Sequence, residues 1–570
     1  MVPATRDSDI LILGAGGAGL FAALHAHKAA PEFSITVAVK GLLGKCGCTR
    51  MVQGGYNVAL AAEDSVERHF MDTIEGGKWL PDQELAWQLV TLAIERVHEL
   101  ENELGCFFDR NPDGTVHQKA FAGQSFDRTV HKGDLTGIEI INRLAEQVWA
   151  RRIQRLEEHR AVELIRTSDG AAIAGVLFID MRTGDYVFVR AKAVLLATGG
   201  GPTMYRYHTP SGDKTCDGLA MALRAGLALR DMEMVQFHPT GLLAGAHTRM
   251  TGTVLEEGLR GAGGFLLGGN KERFMPSYDP KAERATRDLV SRAMFTEMRK
   301  GNTTLQGGLY ISMAHLGPER VRREFKGMVE RCADCGFDLA GGLVEVVPTA
   351  HYMMGGVEFA GDCTTTLPGL FVAGEDSGGV HGANRLGGNG VANSTVFGAV
   401  AGDRMAAWVR HQRFRQPDAG AIDAAIAGCE RAFATRAGDL ETLRERLHDT
   451  MWERVGILRN ASGLAQALAE LDALSGELQR TGIGDTTRAF NLSWHDWLNM
   501  QSLIAVSRAI TQSAAARQES RGAHYREDFP QIGPLEASAY TSISANGTVT
   551  MKPVSFTRVR PGQSLLKHAA

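Results

Sequence analysis

A glycine-rich segment near the N-terminus is the first group of residues whose spacing could do chemistry. Residues 14–19 read Gly-Ala-Gly-Gly-Ala-Gly and lie between the apolar run Ile10–Leu13 and a helix-like sequence. In this context Gly14 allows a tight turn, Gly16 allows close approach of a pyrophosphate, and Gly19 allows close helix packing. The positive end of the helix would then face the phosphates. The segment predicts a dinucleotide-binding turn.

A second candidate is Arg385, in the glycine-flanked loop 381–389. A buried cation without a partner is unfavourable, so its position in such a loop favours an anionic ligand. The choice of dinucleotide is open at this point. Lys40 stands at the end of the second strand, where an acidic residue would usually bind a ribose hydroxyl, so the first turn does not decide between NAD and FAD.

The elements that must position these residues are spread along the chain. A strand over 34–39 follows the first helix, and two further apolar strands end in glycine turns at Thr198-Gly199-Gly200 and Gly374-Glu375. Because these turns lie hundreds of residues from the first, we expect a discontinuous nucleotide-binding domain with an insertion. Helix-like composition follows in Ala421–Arg436 and Gly438–Arg454, and a short β-like tail ends the chain.

Composition limits the classes of protein. The 570 residues include 61 Lys+Arg and 65 Asp+Glu, giving a net charge of −4, which argues against nucleic acid as the main partner. The 67 glycines occur in clusters, as expected where backbone contacts a large ligand. Without a basic-then-apolar leader or a long apolar run, we expect a cytoplasmic protein with reduced thiols and no membrane span. One CxxC pair, Cys332 and Cys335, lacks a second pair, so no metal site is expected.

Several longer motifs follow one another in a specific order. They are GAGGAG at 14–19, QGG at 53–55, FAGQS at 121–125, TCDG at 215–218, VQFHPT at 235–240, EGLRGAGG at 257–264, TRDLVSRA at 286–293, HYMMGG at 351–356, AGE at 373–375, HGANRLGGN at 381–389 and ESRGAHYREDFP at 519–530. On these motifs the chain resembles, over nearly its whole length, the flavoprotein subunit of succinate dehydrogenase and fumarate reductase. L-aspartate oxidase is a relative that shares much of this framework.

The resemblance implies an α/β multidomain fold. It consists of a Rossmann-like FAD-binding domain with an inserted capping domain, followed by a helical domain and a small C-terminal domain. The corresponding ranges are 1–237 and 353–420 for the discontinuous FAD-binding domain, 238–352 for the capping domain, 421–535 for the helical domain and 536–570 for the C-terminal domain.

The resemblance also implies roles for individual residues. Arg287 matches the proton donor or acceptor, and Glu257 and Arg260 match the relay that returns its proton. The substrate-binding positions implied are His238, Glu256, His351, Arg385 and Phe121. The FAD-binding positions implied are Gly14, Ala15, Gly16, Gly19, Lys40, Cys48, Thr49, Gln53, Gly54, Gly55, Thr198, Gly199, Gly200, Asp217, Glu375, Arg385 and Asn389.

Two positions depart from the family pattern. Cys48 stands where the respiratory enzymes have the histidine that bonds covalently to FAD, so we expect non-covalent FAD, with a cysteinyl–flavin bond as the alternative. Glu256 stands where the family usually has a threonine that holds a substrate carboxylate. An ionised Glu256 would repel such a carboxylate. It could be protonated, turn away, or mark an amine-bearing substrate.

The sequence therefore predicts an FAD-dependent oxidoreductase that interconverts succinate and fumarate, or a close dicarboxylate analogue. A hydride would pass at flavin N5, and Arg287 would donate or accept the proton. The alternatives are an amino-acid oxidase of the L-aspartate type and a flavoprotein subunit without catalysis. The implied partner is an iron–sulfur subunit or another electron carrier, through which the protein could lie peripherally on the inner face of a membrane.

Overall fold

The computed structural model describes residues 2–246 and 248–566. Its helices in these ranges are α1 (Gly17–Ala29), α2 (Val66–Gly76), α3 (Gln83–Asn102), α4 (Thr136–Trp149), α5 (Asp217–Arg224), α6 (Gly258–Gly261), α7 (Arg287–Arg299), α8 (Pro318–Glu324), α9 (Lys326–Asp334), α10 (Asn389–Val409), α11 (Ala419–Ala434), α12 (Leu440–Arg454), α13 (Ala461–Leu478) and α14 (Leu492–Ala516). None of the helices in the described part of the chain is both long and apolar enough to cross a bilayer.

The strands form four sheets. In chain order they are β1 (Ala4–Leu13), β2 (Ile35–Ala38), β3 (Tyr56–Asn57), β4 (Gln118–Lys119), β5 (Thr129–Val130), β6 (Gln154–Leu156), β7 (His159–Arg166), β8 (Ile173–Asp180), β9 (Tyr186–Leu196), β10 (Leu229–Arg230), β11 (Val235–Leu242), β12 (Phe265–Leu267), β13 (Leu309–Ser312), β14 (Leu343–Met353), β15 (Gly356–Val357), β16 (Leu370–Val372), β17 (Ala539–Ile543) and β18 (Val549–Pro553).

The largest sheet carries the predicted nucleotide-binding turns. Its order is β6-β2-β1-β9-β8-β7, with β16 also paired to β9. Strands β6, β2, β1, β9 and β16 are parallel, so their carboxyl ends and the loops that follow them lie at one edge. Strand β16 joins this sheet from far along the chain, and the division of the chain into a discontinuous nucleotide-binding domain stays a prediction.

Helices α1 and α10 pack against each other closely behind that edge. A Cβ atom on Gly398 would lie 2.6 Å from the carbonyl oxygen of Ala18, and one on Gly402 would lie 2.4 Å from that of Ala22. The glycines of α10 therefore let the two backbones approach. As a result, the N-termini of both helices point to the same region, just beyond the strand ends.

A separate antiparallel sheet, of order β11-β14-β13-β12, lies in the predicted capping region. With α7 and α9 it encloses its own apolar core, which includes Leu242, Met294 and Val344. Strands β11 and β14 cross the predicted boundaries at 237/238 and 352/353. Residues on both sides of each boundary therefore belong to one paired strand. Those boundaries stay predictions.

Four helices, α11 to α14, follow α10, and they agree in type with the helical region expected from the sequence. Strands β17 and β18 form the C-terminal hairpin and join β10 and β15 in one four-stranded sheet of order β15-β10-β17-β18. The hairpin therefore completes a sheet begun by earlier parts of the chain. The predicted fold class, α/β with a helical and a C-terminal part, is confirmed.

Candidate functional site

The candidate site is a cavity of about 460 Å³ at the N-termini of α1 and α10. Residues of strands β11 and β14 from the capping region and of the loop after β16 also line it. Predicted site residues that are far apart in the sequence meet in its wall: Gly16, Cys48, Thr49, Gln53, Gly54, Gly55, Phe121, Thr198, Gly199, His238, Glu256, Glu257, Arg287, His351, Glu375 and Arg385.

Two histidines face the cavity from neighbouring strands, β11 and β14. Gln236 pairs with Tyr352 and Phe237 with Ala350, so His351 is the extra residue of a β-bulge. A second irregularity follows His238, next to Pro239, which cannot donate a ladder hydrogen bond. The bulges orient both rings toward the cavity, with centroids 5.4 Å apart.

Both rings lie in an environment that disfavours their protonated form. Burial, assisted by Arg287, holds the pKa of His238 and that of His351 well below the ordinary value. Nδ1 of His351 lies 2.8 Å from Oγ1 of Thr209. The neutral rings can therefore donate hydrogen bonds to an anion without themselves carrying charge.

A buried chain of ion pairs lies beside the histidines. Nη2 of Arg287 donates to Oε2 of Glu257 over 2.6 Å, and Nη2 of Arg260 donates to Oε1 of Glu257 over 3.0 Å. Burial alone would raise the pKa of Glu257, but the two arginines hold it below its usual value. Burial lowers the pKa of Arg260. Glu257 is thus an ionised carboxylate shared by two guanidinium groups.

Local structure explains this arrangement. Arg287 is the first residue of α7, and Glu257 immediately precedes the short helix α6, which carries Arg260. The spacing of three residues between Glu257 and Arg260 places both on one helical face, as the sequence predicted. The prediction that these three residues lie together therefore agrees with the structure.

Gln236 connects this chain of ion pairs to the loop after β16. Its Oε1 accepts from Nη1 of Arg287 at 3.0 Å, and its Nε2 donates to the carbonyl oxygen of Arg385 at 2.7 Å. The guanidinium of Arg385 lies 4.4 Å from the centroid of the Tyr352 ring, and its buried Nε has no hydrogen-bond partner. Burial, with repulsion from Arg287, lowers the pKa of Arg385 to about 10. An anion in the cavity would satisfy this group.

Gly387 allows the ion pair and Phe121 to approach the loop. A Cβ atom there would lie 2.5 Å from Oε2 of Glu257, 2.7 Å from Cδ2 of Phe121 and 3.0 Å from Nη2 of Arg287. The absence of a side chain at this position is therefore a requirement of the site.

Glu256 neither turns away nor lies unpaired. It is 5 % exposed and forms a short ion pair with Nζ of Lys119. Burial raises the pKa of Glu256, and Lys119 opposes that rise. The structure therefore supplies a partner cation for the carboxylate, which the sequence-based alternatives did not include.

The other half of the cavity fits FAD. Gly16, Gly17 and Ala18 at the start of α1, and Gly388, Gly390 and Val391 at the start of α10, line it, so two helix N-termini would face the pyrophosphate of FAD. Oε1 of Gln53 is buried without a hydrogen-bond partner. Oε1 of Glu375 accepts from the Met353 backbone at 2.9 Å, and burial raises the pKa of Glu375 to about 7. A carboxyl group so placed can accept from sugar hydroxyls.

The remaining predicted FAD positions lie at different distances from this cavity. Gly14, Lys40 and Asp217 line a smaller cavity of about 60 Å³, which shares Thr198, Gly199 and Lys214 with the first. Lys40 and Asp217 form an ion pair of 2.9 Å, and Asp217 also pairs with Arg160. Four predicted FAD positions and one predicted relay residue line neither cavity: Ala15, Gly19, Gly200, Asn389 and Arg260.

The side chain of Asn389, a predicted FAD position, forms hydrogen bonds within the protein. Its Oδ1 accepts from Asn57 at 2.8 Å and lies 3.0 Å from Nε2 of His69, and its Nδ2 donates to Thr73. These bonds fix the start of α10, whose backbone reaches the cavity at Gly388. Gly19 acts similarly through packing, since a Cβ there would lie 1.9 Å from the Gly14 carbonyl oxygen.

Cys48 is half-buried in the cavity wall. Desolvation, with Glu375 nearby, raises the pKa of its thiol to about 12, although Lys214 opposes the rise. The thiol is therefore protonated at neutral pH, and a protonated thiol is a poor nucleophile. In the described ranges, no group of three or more His, Cys, Asp or Glu side chains could hold a metal ion.

Sequence reasoning missed several residues of the site. Gln236 lies inside the VQFHPT motif, two positions before His238, and the alternation of a strand could have placed both on one face. Asp376, next to Glu375, accepts hydrogen bonds from Thr198 Oγ1 at 2.9 Å and from the Gly199 backbone at 3.2 Å. No sequence pattern pointed to Lys119 and Thr209, because their partners, Glu256 and His351, lie more than 130 residues away along the chain.

Comparison with known proteins is consistent with this geometry. A family model described as an FAD binding domain matches residues 9–391, and one described as a fumarate reductase flavoprotein C-terminal region matches residues 444–565. The chain is 40% identical to an uncharacterised FAD-dependent oxidoreductase of Methanocaldococcus jannaschii, over 92% of this chain and 94% of that protein.

Two further relatives have more informative names. One is a subunit of the fumarate reductase (CoM/CoB) of Methanothermobacter marburgensis, which is 39% identical over 93% of this chain and 95% of its own length. The other is a solved structure of a variant of the Escherichia coli quinol fumarate reductase FrdA. It superposes with a TM-score of 0.91 at 33% identity, over 98% of this chain and 99% of that one.

Proposed function

Because this chain belongs to the succinate dehydrogenase and fumarate reductase flavoprotein family and is an FAD-dependent oxidoreductase, we propose that it interconverts fumarate and succinate. FAD, when bound, supplies the hydride acceptor or donor at flavin N5. The residues that would hold it are those of the two glycine turns, Gln53, Glu375 and the N-termini of α1 and α10.

The cationic end of the cavity binds the substrate. Arg385, with its unpaired Nε, and His351 hold one carboxylate, and His238 donates a hydrogen bond toward the other. Because Arg385, Gln236 and Arg287 are linked by hydrogen bonds, the two ends of the substrate are positioned relative to the proton donor. Phe121 excludes water from this part of the cavity.

The observation that carries the proposal is the buried Arg287–Glu257–Arg260 chain. In fumarate reduction a Nη atom of Arg287 donates the proton to the substrate carbon. Arginine is a weak acid, so this step requires a group that returns the proton at once. Glu257 is in hydrogen-bond contact with Arg287 and can pass it a proton received through Arg260. A purely structural ion pair would not need to face the cavity.

Arg287→Ala should therefore abolish turnover while FAD stays bound, since Arg287 lies at the substrate half of the cavity. A flavoprotein subunit without catalysis would lose nothing by this change. The test is fumarate-dependent oxidation of reduced methyl viologen by the purified holoenzyme, with FAD content measured in the same sample. The matched control is Arg299→Ala, because Arg299 is exposed and pairs with Glu527.

FAD is bound without a covalent bond. The protonated Cys48 thiol supports this, because only the thiolate would attack a flavin carbon. Acid precipitation of the holoenzyme should release all of the flavin into the supernatant. Flavin that stays with the protein, and is lost from Cys48→Ser, would establish a cysteinyl bond instead.

The electrons come from a protein partner. The relatives include a protein named as a subunit, and this chain offers no cluster-binding cysteine set in its described ranges. We assign this role to an iron–sulfur subunit or another electron carrier, with the chain cytoplasmic and held at the inner membrane face through that partner. Copurification of an iron-containing polypeptide with a tagged chain tests this assignment.

The alternative of an L-aspartate-type oxidase rested on the shared framework and on a negative charge at Glu256. Lys119 neutralises that charge, so electrostatics no longer favours an amine-bearing substrate. Aspartate turnover with release of hydrogen peroxide, together with no turnover of fumarate, would nevertheless replace the proposed function with this one.

A further inference from the structure

Glu256 lines the same cavity as His238, and the two residues lie on neighbouring segments of the fold. Leu255, the residue before Glu256, pairs by hydrogen bonds with Thr240, two residues after His238. Glu256 and Glu257 both line the cavity, so two adjacent acidic residues belong to its wall, on the side where His238 would bind the second substrate carboxylate. Glu257 is neutralised by Arg287 and Arg260, which both form ion pairs with it.

Glu256 is neutralised from a different part of the fold. Lys119 ends strand β4 in the small sheet β3-β5-β4, and its Nζ forms the ion pair with Oε1 of Glu256. The ammonium group also lies 3.3 Å from the Gly133 carbonyl oxygen and 5.7 Å from the centroid of the Phe121 ring. The Lys119 side chain is 20 % exposed and that of Glu256 6 %, so solvent screens the pair only weakly.

Within the described part of the chain, no other cation is paired with Glu256. Two neighbouring acids, Glu257 and Asp134, both act to raise its pKa, and His131 adjoins Lys119. Arg331 lines the same cavity, but its Nη1 donates to the carbonyl oxygen of Val254. Without Lys119, the site would either present an uncompensated negative charge to its substrate or require a protonated Glu256. The ionised state opposes binding of a dianion, because like charges repel strongly where water is excluded, whereas protonation of Glu256 removes that repulsion.

We propose that Lys119 is the specificity-determining residue that lets this site accept a second carboxylate, by neutralising Glu256. This inference rests on the proposed function, because it assumes a dicarboxylate in the cavity. Lys119 acts through Glu256 and is a positioning residue, since it need not touch the substrate.

The test measures ligand binding, so that it does not depend on turnover. The holoenzyme is titrated anaerobically with malonate, a dicarboxylate without an alkene, and with propionate, the matching monocarboxylate, and Kd is obtained from the change in flavin absorbance. Four variants are compared with the unmodified chain: Lys119→Met, Lys119→Arg, Glu256→Gln and the double variant Lys119→Met/Glu256→Gln.

Lys119→Met should raise the malonate Kd about ten- to a hundredfold and change the propionate Kd much less, because repulsion acts on the second carboxylate. The double variant should recover most of the malonate affinity, since it has neither charge. Lys119→Arg should retain it, since the cation is kept. The Lys119→Met defect should grow as the pH rises and Glu256 loses its proton.

Equal losses for malonate and propionate, or a double variant as weak as Lys119→Met, would overturn the proposal and leave Lys119 with a structural role only. Measuring fumarate turnover distinguishes failure of the proposed function from failure of the role of Lys119. If the unmodified chain binds malonate with this charge pattern but does not reduce fumarate, the proposed function fails and the charge specificity stands. If it reduces fumarate and the malonate pattern is absent, only the role of Lys119 fails.

Discussion

Nη2 of Arg287 lies 2.6 Å from Oε2 of Glu257, and both side chains are buried at the wall of the cavity. The other oxygen of the same carboxylate binds Arg260, which is fully buried. One acid thus links the guanidinium group of Arg260 to that of Arg287, which lines the cavity. This is the geometry expected of a proton relay whose last member is a weak acid.

Glu257→Gln tests the relay while preserving shape. The amide can still accept a hydrogen bond from Arg287, but it cannot carry a proton, so kcat for fumarate should fall about 10²- to 10⁴-fold. KM should change far less, since Glu257 does not hold a substrate carboxylate. Steady-state kinetics with a viologen donor separates the two parameters. A kcat within a factor of about two of the unmodified enzyme would exclude Glu257 from proton transfer.

Gly387→Ala should disturb the ion pair between Arg287 and Glu257 by steric overlap alone. The added methyl group would overlap Glu257 and Phe121, so either the pair or the loop must move. We expect a large loss of kcat and a lower melting temperature, because overpacking of a buried site typically costs about 1–3 kcal/mol. Gly428→Ala is the control, since nothing lies within 4 Å of a Cβ there. Because Gly428 lies in helix α11, alanine at this position should slightly raise the free energy of unfolding.

Buried neutral histidines make the stability of the protein sensitive to acid. Burial and Arg287 hold the pKa of His351 well below its unfolded value of about 6.5. Below that value the unfolded chain binds a proton that the native chain does not, so native stability is lost as the pH falls. Between about pH 6 and pH 5 each such histidine contributes a loss of up to about 1.4 kcal/mol.

His351→Asn should therefore reduce the pH dependence of unfolding by nearly one proton over this interval. Urea unfolding of the holoenzyme at several pH values measures the slope. The exposed His98→Asn is the matched control. An unchanged slope in His351→Asn would mean that the His351 ring is protonated in the native state, and its role as a neutral donor would have to be abandoned.

Gly14→Ala tests the dinucleotide turn. Gly14 has a φ of +109°, and a Cβ there would lie 2.1 Å from the Ala197 carbonyl oxygen. The turn between β1 and α1 would have to open, which displaces the helix N-terminus from the phosphates. The variant should purify with little FAD. Full FAD content, measured by absorbance after denaturation, would contradict this role of the turn.

The sequence was sufficient for the parts of the site that lie within continuous motifs. The turn at Gly14–Gly19 and the neighbouring pair Glu257 and Arg260 could be predicted, because short-range spacing determines their geometry. The resemblance brought His238, His351, Arg287 and Arg385 into one candidate set, and the structure places all four at one cavity.

Contacts between distant segments could not be predicted from spacing. The pairing of Glu256 with Lys119 depends on how β4 approaches the capping region, and the orientation of His351 depends on a bulge in β14. The side chain of Asn389 matched a family position, but it is used to fix the start of α10. In each case, tertiary packing decided the role of a residue whose type was already known.

The most direct test of the central claim is a single anaerobic turnover. The flavin of the purified protein is reduced chemically, excess reductant is removed, and fumarate is added while flavin absorbance is followed. We predict prompt reoxidation with one succinate formed per flavin, and no reoxidation in Arg287→Ala despite bound FAD. Reduced flavin that persists with fumarate in the unmodified protein, while its FAD remains intact, would contradict the proposed function.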